Sequence, residues 1–300
     1  MSAGAPPKIS HAERPIVWRT VLYVLASLLA ALILFLGGGR LMLEALERQF
    51  IYFPTRERAD APTPRLRRAR EVEEVWMDVD GVRVHGLHAR LDNPSGTLLF
   101  FHGNAGNLYD RLDNVELLLD MGLDVLIIDY QGYGKSGGEP SEPTLYADGM
   151  AAYRYLTEER GVEAGGLVLF GRSLGSAVAI ELATRVPCAA LIAESAFTSA
   201  RDLAREHYGW LPGLLIRNMT HEFDSISKVE RLRVPTLFVH GDRDSIVPES
   251  MGRRLFAAAP EPKTWYEVEG AGHNDTIARG GREYVRQLDA FLRENLRGAR

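Results

Sequence analysis

Ser173 stands between two glycines in Gly171-Arg172-Ser173-Leu174-Gly175, directly after the apolar run Leu167-Val168-Leu169-Phe170. Small apolar residues at helical spacing follow it: Ala177, Val178, Ile180, Leu182 and Ala183. Strand, very tight turn and helix are the elements a nucleophile elbow requires, with the serine oxygen lifted clear of the sheet at a helix N-terminus. The two glycines give the strained turn room. Without that context the five-residue pattern is often an ordinary turn; here both flanking elements are present.

A serine hydroxyl attacks a carbonyl only when a base takes its proton and an acid orients that base. Both partners follow in the order Ser, Asp, His. The run 236–240 leads into Gly241-Asp242-Arg243-Asp244, and 264–268 leads into Glu269-Gly270-Ala271-Gly272-His273-Asn274. All three loops follow strands, so a parallel sheet brings them to one edge. His273 is the expected general base. Asp244 and Asp242 compete for the orienting role; Asp244 lies further along the loop and reaches over to the histidine, whereas Asp242 sits at the strand end, where it serves the turn. An oxyanion needs backbone N–H donors. Leu174, next to the serine, supplies one. The loop Phe101-His102-Gly103-Asn104-Ala105-Gly106-Asn107 supplies the other, from Asn104, with His102 packing beneath it.

Two other motifs carry less. Gly132-Tyr133-Gly134-Lys135-Ser136-Gly137 matches a dinucleotide fingerprint, but Pro140 and Pro143 block the helix that should follow and the unit is not the chain's first. As a phosphate-binding P-loop it has Asp129 where the first glycine belongs. No histidine pair has metal-ligand spacing, so neither metal nor cofactor is expected.

The elements that must position these groups alternate. The runs 75–79 and 82–89 flank Asp80-Gly81, a hairpin signal. Buried-type strands are predicted over 97–101, 125–128, 167–170, 189–193, 236–240 and 264–268, and helices over 107–121, 145–160, 249–258 and 282–296. Strands alternating with helices after an initial hairpin predict a mostly parallel eight-stranded sheet covered on both faces. Residues 197–228 break the rhythm and are expected to form a short cap above the carboxyl ends of the strands, where ligands bind in such sheets.

With 300 residues, 46% hydrophobic and 25% charged, the chain holds one large domain, and a net charge of −5 gives no reason to expect nucleic acid. The single cysteine, Cys188, excludes an internal disulfide and is expected to be a buried structural thiol. Residues 20–39 carry no charge, and 21–36 are almost continuously apolar. A helix of that length spans about 30 Å, a bilayer core. Arg14, Arg19, Trp18 and Tyr23 flank it as in an anchor, while Gly37-Gly38-Gly39 matches signal-peptide cleavage poorly. Basic residues on the two sides balance, leaving the orientation undecided. The resulting domain reading is a disordered tail (1–15), a single-pass transmembrane helix (16–39), a juxtamembrane segment and an arginine- and proline-rich linker (40–71), and a globular domain (72–300).

These motifs together resemble the α/β-hydrolase superfamily over roughly 50–296. Ile51-Tyr52-Phe53-Pro54, the His102–Asn107 loop, Asp129-Tyr130-Gln131-Gly132-Tyr133-Gly134-Lys135-Ser136-Gly137-Gly138, the Ser173 elbow, His240-Gly241-Asp242-Arg243-Asp244 and Gly272-His273 are similar to a set of membrane-anchored serine hydrolases. That set is related to serine aminopeptidase-like hydrolases and to protein depalmitoylases. The resemblance implies Ser173 as nucleophile, Asp244 as acid and His273 as base. Gln131 departs from it, since the family more often has arginine there. The depalmitoylases anchor through an acylated, cysteine-rich N-terminus that this chain lacks, so their substrate is not carried over. The expected activity is hydrolysis of an ester or thioester, possibly an amide, of a small or lipid-like acyl group through an acyl-enzyme. The alternative is a membrane-anchored binding module that kept the fold and lost catalysis.

Overall fold

A computed structural model describes residues 38–210 and 212–296. The expected tail and most of the expected membrane helix lie outside them, and no helix among the described residues is long and apolar enough to cross a membrane. The chain divides into two units between residues 47 and 48. In the first, residues 38–47 are helical. The second holds everything that follows.

Eight strands form one sheet: β1 (Glu71–Val79), β2 (Val82–Arg90), β3 (Gly96–Phe101), β4 (Leu123–Ile128), β5 (Leu167–Arg172), β6 (Ala190–Glu194), β7 (Thr236–Gly241) and β8 (Lys263–Val268). The spatial order is β8-β7-β6-β5-β3-β4-β2-β1. β2 runs antiparallel to both β1 and β4, and the remaining pairs are parallel. The Asp80-Gly81 hairpin forms as expected, with both residues at positive φ (52° and 82°), the twist a two-residue turn needs.

Helices α1 (Leu112–Asp120), α2 (Glu142–Arg154), α3 (Leu174–Ala183), α4 (Ala200–Tyr208), α5 (Gly213–Arg217), α6 (Ser225–Val229), α7 (Glu249–Ala258) and α8 (Thr276–Asn295) complete the unit. Alternation along the central strands sends side chains to both faces. Leu98, Phe100, Val168 and Phe170 pack with Val115, Leu119, Leu288 and Phe291 of α1 and α8. Their neighbours Leu99, Phe101 and Leu169 pack with Leu145, Val178 and Leu255 of α2, α3 and α7. A strand buried on both sides reads as an unbroken apolar run, which is why these strands are plain in the sequence.

Three boundaries differ from expectation. The helix predicted over 107–121 opens as a 3₁₀ turn, Leu108–Arg111, because Asn107 caps it and binds Asp110 reciprocally. α2 starts at Glu142, with Pro143 in its first turn, where a missing N–H costs nothing. α8 begins at Thr276 and breaks at Gly281 (φ 51°), so the predicted 282–296 helix is its second half. Part of the expected linker is integral to the second unit. Phe53 and Pro54 pair with Ala105 and Gly106, Tyr52 is buried, and Leu66 packs under the sheet. The expected cap holds α4, α5 and the start of α6.

Candidate active site

The β5–α3 turn is as tight as its glycines imply. Ser173 has φ 53° and ψ −120°, a strained region for a non-glycine residue, at the N-cap of α3. A Cβ on Gly171 would stand 2.2 Å from the Gly175 carbonyl oxygen, and one on Gly175 would stand 2.0 Å from that of Phe101. Only glycine lets α3 begin this close to the end of β3. The turn is pinned further by the Ser173 N–H donating to Glu194 O (2.9 Å) and by Ser176 Oγ donating to Ser173 O (2.6 Å).

Three side chains separated in sequence meet here. His273 Nε2 lies 2.9 Å from Ser173 Oγ, and His273 Nδ1 lies 2.7 Å from Asp244 Oδ2. The second carboxylate oxygen of Asp244 accepts from the Ile246 and Val247 N–H groups (2.9 and 2.8 Å). Burial alone would raise the Asp244 pKa, but His273 and these two N–H donors outweigh it and hold the carboxyl below its ordinary value. Asp242 points elsewhere: it is exposed and its Oδ1 accepts from Gly270 N (2.7 Å), bracing the β7 and β8 turns against each other. A carboxylate that binds one imidazole nitrogen leaves the other free to take a proton from the serine hydroxyl, the arrangement that activates serine for attack on a carbonyl.

The loop after β3 faces the same point. Gly103 borders Ser173, and a Cβ there would be in ordinary contact with Ser173 Cβ at 3.5 Å. Asn104 is fixed from three sides: its carbonyl accepts from Phe53 N (3.0 Å) and Tyr133 Oη (2.8 Å), and its amide donates to Ile51 O (3.1 Å). Among the described residues, no turn, loop or cap bond takes the backbone N–H of Asn104 or Leu174, the two donors expected to face an oxyanion. His102 is fully buried beneath the loop between Tyr130 and Tyr133, with Nδ1 2.7 Å from Gly103 O, and burial pushes its pKa down, keeping it neutral. The fingerprint-like glycines of 132–137 close a turn at the β4 end, with Gly132 N–H bonded to Gly137 O (2.8 Å). Cys188 is largely buried, its thiol pushed up to about 12.

Two features of the site escape sequence reasoning. Glu194, fully buried at the end of β6, accepts from Thr276 Oγ1 (2.7 Å) and Tyr284 Oη (2.5 Å) and pairs with Arg172 Nε (3.2 Å). Arg172 in turn donates to the His273 carbonyl (2.7 Å), so this cluster fixes the backbone that carries the imidazole. An acidic residue closing an apolar strand is the only hint of it. The second is Arg111, which with Arg172, Ser173, Asn104 and His273 lines a cavity of about 150 Å³. Among the described residues, no cluster of His, Cys, Asp and Glu could hold a metal ion.

Residues 92–223 match the family model described as serine aminopeptidase, S33. An uncharacterized Mycobacterium tuberculosis protein is 37% identical over 267 residues, covering 88% of this chain and 94% of its own length. Protein bem46 of Schizosaccharomyces pombe is 33% identical, covering 81% and 83%. The Caenorhabditis elegans α/β-hydrolase domain-containing protein aho-3 is 36% identical over 67% of this chain and 59% of its own. The chain belongs to the α/β-hydrolase superfamily. Solved structures agree on the fold of this hydrolase. A Pyrococcus furiosus esterase superposes with a TM-score of 0.65 at 20% identity, over 82% of this chain and 98% of that one. A Butyrivibrio proteoclasticus protein solved with ferulic acid has a TM-score of 0.61 at 21% identity, covering 74% and 98%.

Proposed function

We propose that this hydrolase cleaves a carboxylic ester or thioester through an acyl-enzyme on Ser173, and that it works as a membrane-anchored enzyme. The continuous chain from Ser173 Oγ through His273 to Asp244, at 2.9 and 2.7 Å, carries the reading. Ser173 Oγ attacks the acyl carbonyl while His273 Nε2 takes its proton. The imidazolium, stabilised by Asp244, gives that proton to the departing alcohol or thiol. Water then repeats the sequence on the acyl-serine, releasing the acid and restoring the hydroxyl. The Asn104 and Leu174 N–H groups meet the oxyanion in both steps; loss of one such donor typically costs about 10²–10³ in kcat. Serine at the elbow opposes the aspartate-based chemistries, and a tether with a short cap suits lipophilic acyl groups. The apolar run over 21–36 supports the anchor.

Labelling by a fluorophosphonate probe tests the assignment. It should be lost in Ser173→Ala, strongly slowed in Asp244→Asn and retained in Asp242→Asn. A folded wild-type chain that takes no label refutes the enzyme reading in favour of a binding module.

A further inference from the structure

We infer that the cavity at Ser173 selects acyl substrates that also carry a carboxylate or phosphate group, held by Arg111 with Arg172 beside it. The inference rests on the hydrolase reading and names the substrate class of that same site.

The two guanidinium groups face the cavity that holds Ser173 and His273. Their situations differ. Arg172 is matched by Glu194 at 3.2 Å and committed to the His273 carbonyl. Arg111 has only backbone carbonyls: Nη2 donates to Ala105 O (2.9 Å) and Nη1 to Asp110 O (3.3 Å). Its Nε is buried with no partner, and among the described residues no carboxylate forms an ion pair with it. The neighbouring Asp110 carboxylate accepts from Asn107 N (3.1 Å) and acts on Arg111 only through space. Burial and the charge of Arg172 disfavour the Arg111 cation more than Asp110 favours it, yet a guanidinium stays protonated in proteins. A half-buried cation with a second cation beside it and no directly paired carboxylate is a site an anion stabilises, and the planar donor fork of arginine suits carboxylate and phosphate. The overall charge of −5 makes this local positive pair a property of the site and not of the surface at large.

Two substrate pairs separate the possible positions of the anion. p-Nitrophenyl hemisuccinate against p-nitrophenyl butyrate puts a carboxylate on the acyl side. 1-Acylglycerol 3-phosphate against 1-acylglycerol puts a phosphate on the alcohol side. The wild type should prefer the anionic member of one pair in kcat/KM. In Arg111→Gln the anionic-to-neutral ratio for that pair should fall about ten-fold or more, the usual effect of losing a charge-assisted hydrogen bond. Arg111→Lys should restore part of it. Inorganic phosphate should inhibit the wild type competitively against the neutral ester, and Arg111→Gln more weakly. Preference for the neutral member of both pairs overturns the inference without any variant. So does a fall of both members in equal proportion in Arg111→Gln, which would make Arg111 only a brace for the Ala105 carbonyl. Fluorophosphonate labelling in parallel separates the failures: flat ratios with intact labelling sink the anion site alone, and absent wild-type labelling sinks the hydrolase reading beneath it.

Discussion

Asp244 and Asp242 are two residues apart and do opposite work. One holds His273; the other braces a turn through Gly270 N. Asp242→Asn keeps an acceptor for that N–H and should change stability by no more than about 1 kcal/mol, read by urea denaturation. Asp244 titrates below its ordinary range, so its pairing stabilises the fold fully above the unfolded carboxyl pKa, near 3.8, and is lost as pH falls through the lower folded value. Glu194→Gln leaves the buried Arg172 guanidinium without its counter-charge. It should cost about 3–5 kcal/mol in denaturant unfolding, because breaking a buried pair strands the remaining charge. Ser173, Asp244 and His273 were legible in the sequence because each sits among small residues just past an apolar strand. Glu194 and Arg111 were not: the Glu194 partners Thr276 and Tyr284 lie 82 and 90 residues away, and only the fold brings Arg111 to the cavity that holds Ser173 and His273.

Helix placement is decided by a few close approaches. Gly175→Ala would drive a methyl group to 2.0 Å from the Phe101 carbonyl, and α3 must retreat from β3. About 3 kcal/mol or more of stability should be lost, with labelling falling as the elbow shifts, measured on the same samples. α2 is joined to the turn after β4 by Asp148, which is fully buried and accepts from Gln131 N and Nε2 (2.7 and 3.0 Å). Burial raises its carboxyl to about 7, against the partial relief of those two donors. The folded chain therefore binds this proton more tightly than the unfolded chain. Between roughly pH 4 and 7 the Asp148 contribution falls as pH rises, and its full cost is present above pH 7. Asp148→Asn should flatten that decline, as seen in urea midpoints across the range; an unchanged pH slope would contradict it. Strands buried on two faces were legible from their unbroken apolar runs, whereas the breaks at Asn107 and Gly281 depend on local capping and one backbone angle.

Across the molecule, the sequence suggests a globular part from residue 72, whereas the second compact unit begins at residue 48. The reason is physical. Arginines and prolines over 56–70 read as solvated linker, yet Arg56 bonds the Ser136 and Gly138 carbonyls, and Arg67 and Arg68 pair with Asp120 on α1. Those partners lie 52 to 82 residues away and leave no local pattern. Just before it, Ile51 and Phe53 fix the Asn104 loop, so residues 51–53 belong to the site's support. The proposed anchor makes its own prediction. The full chain should stay in the membrane pellet through alkaline carbonate washing and enter solution only with detergent. Release by carbonate would refute a transmembrane segment.

The acyl-enzyme is the central claim, and pre-steady-state mixing with p-nitrophenyl butyrate tests it most directly. The account predicts a burst of p-nitrophenol equal to the enzyme concentration, with the butyryl group found on the peptide bearing Ser173 in the acid-quenched protein. Where deacylation outpaces acylation neither signal accumulates, and a common acyl-enzyme then shows as one constant butyrate-to-methyl-butyrate ratio from different butyrate esters turned over in the presence of methanol. Turnover with the acyl group on another residue, or undiminished turnover in Ser173→Ala, would contradict the account.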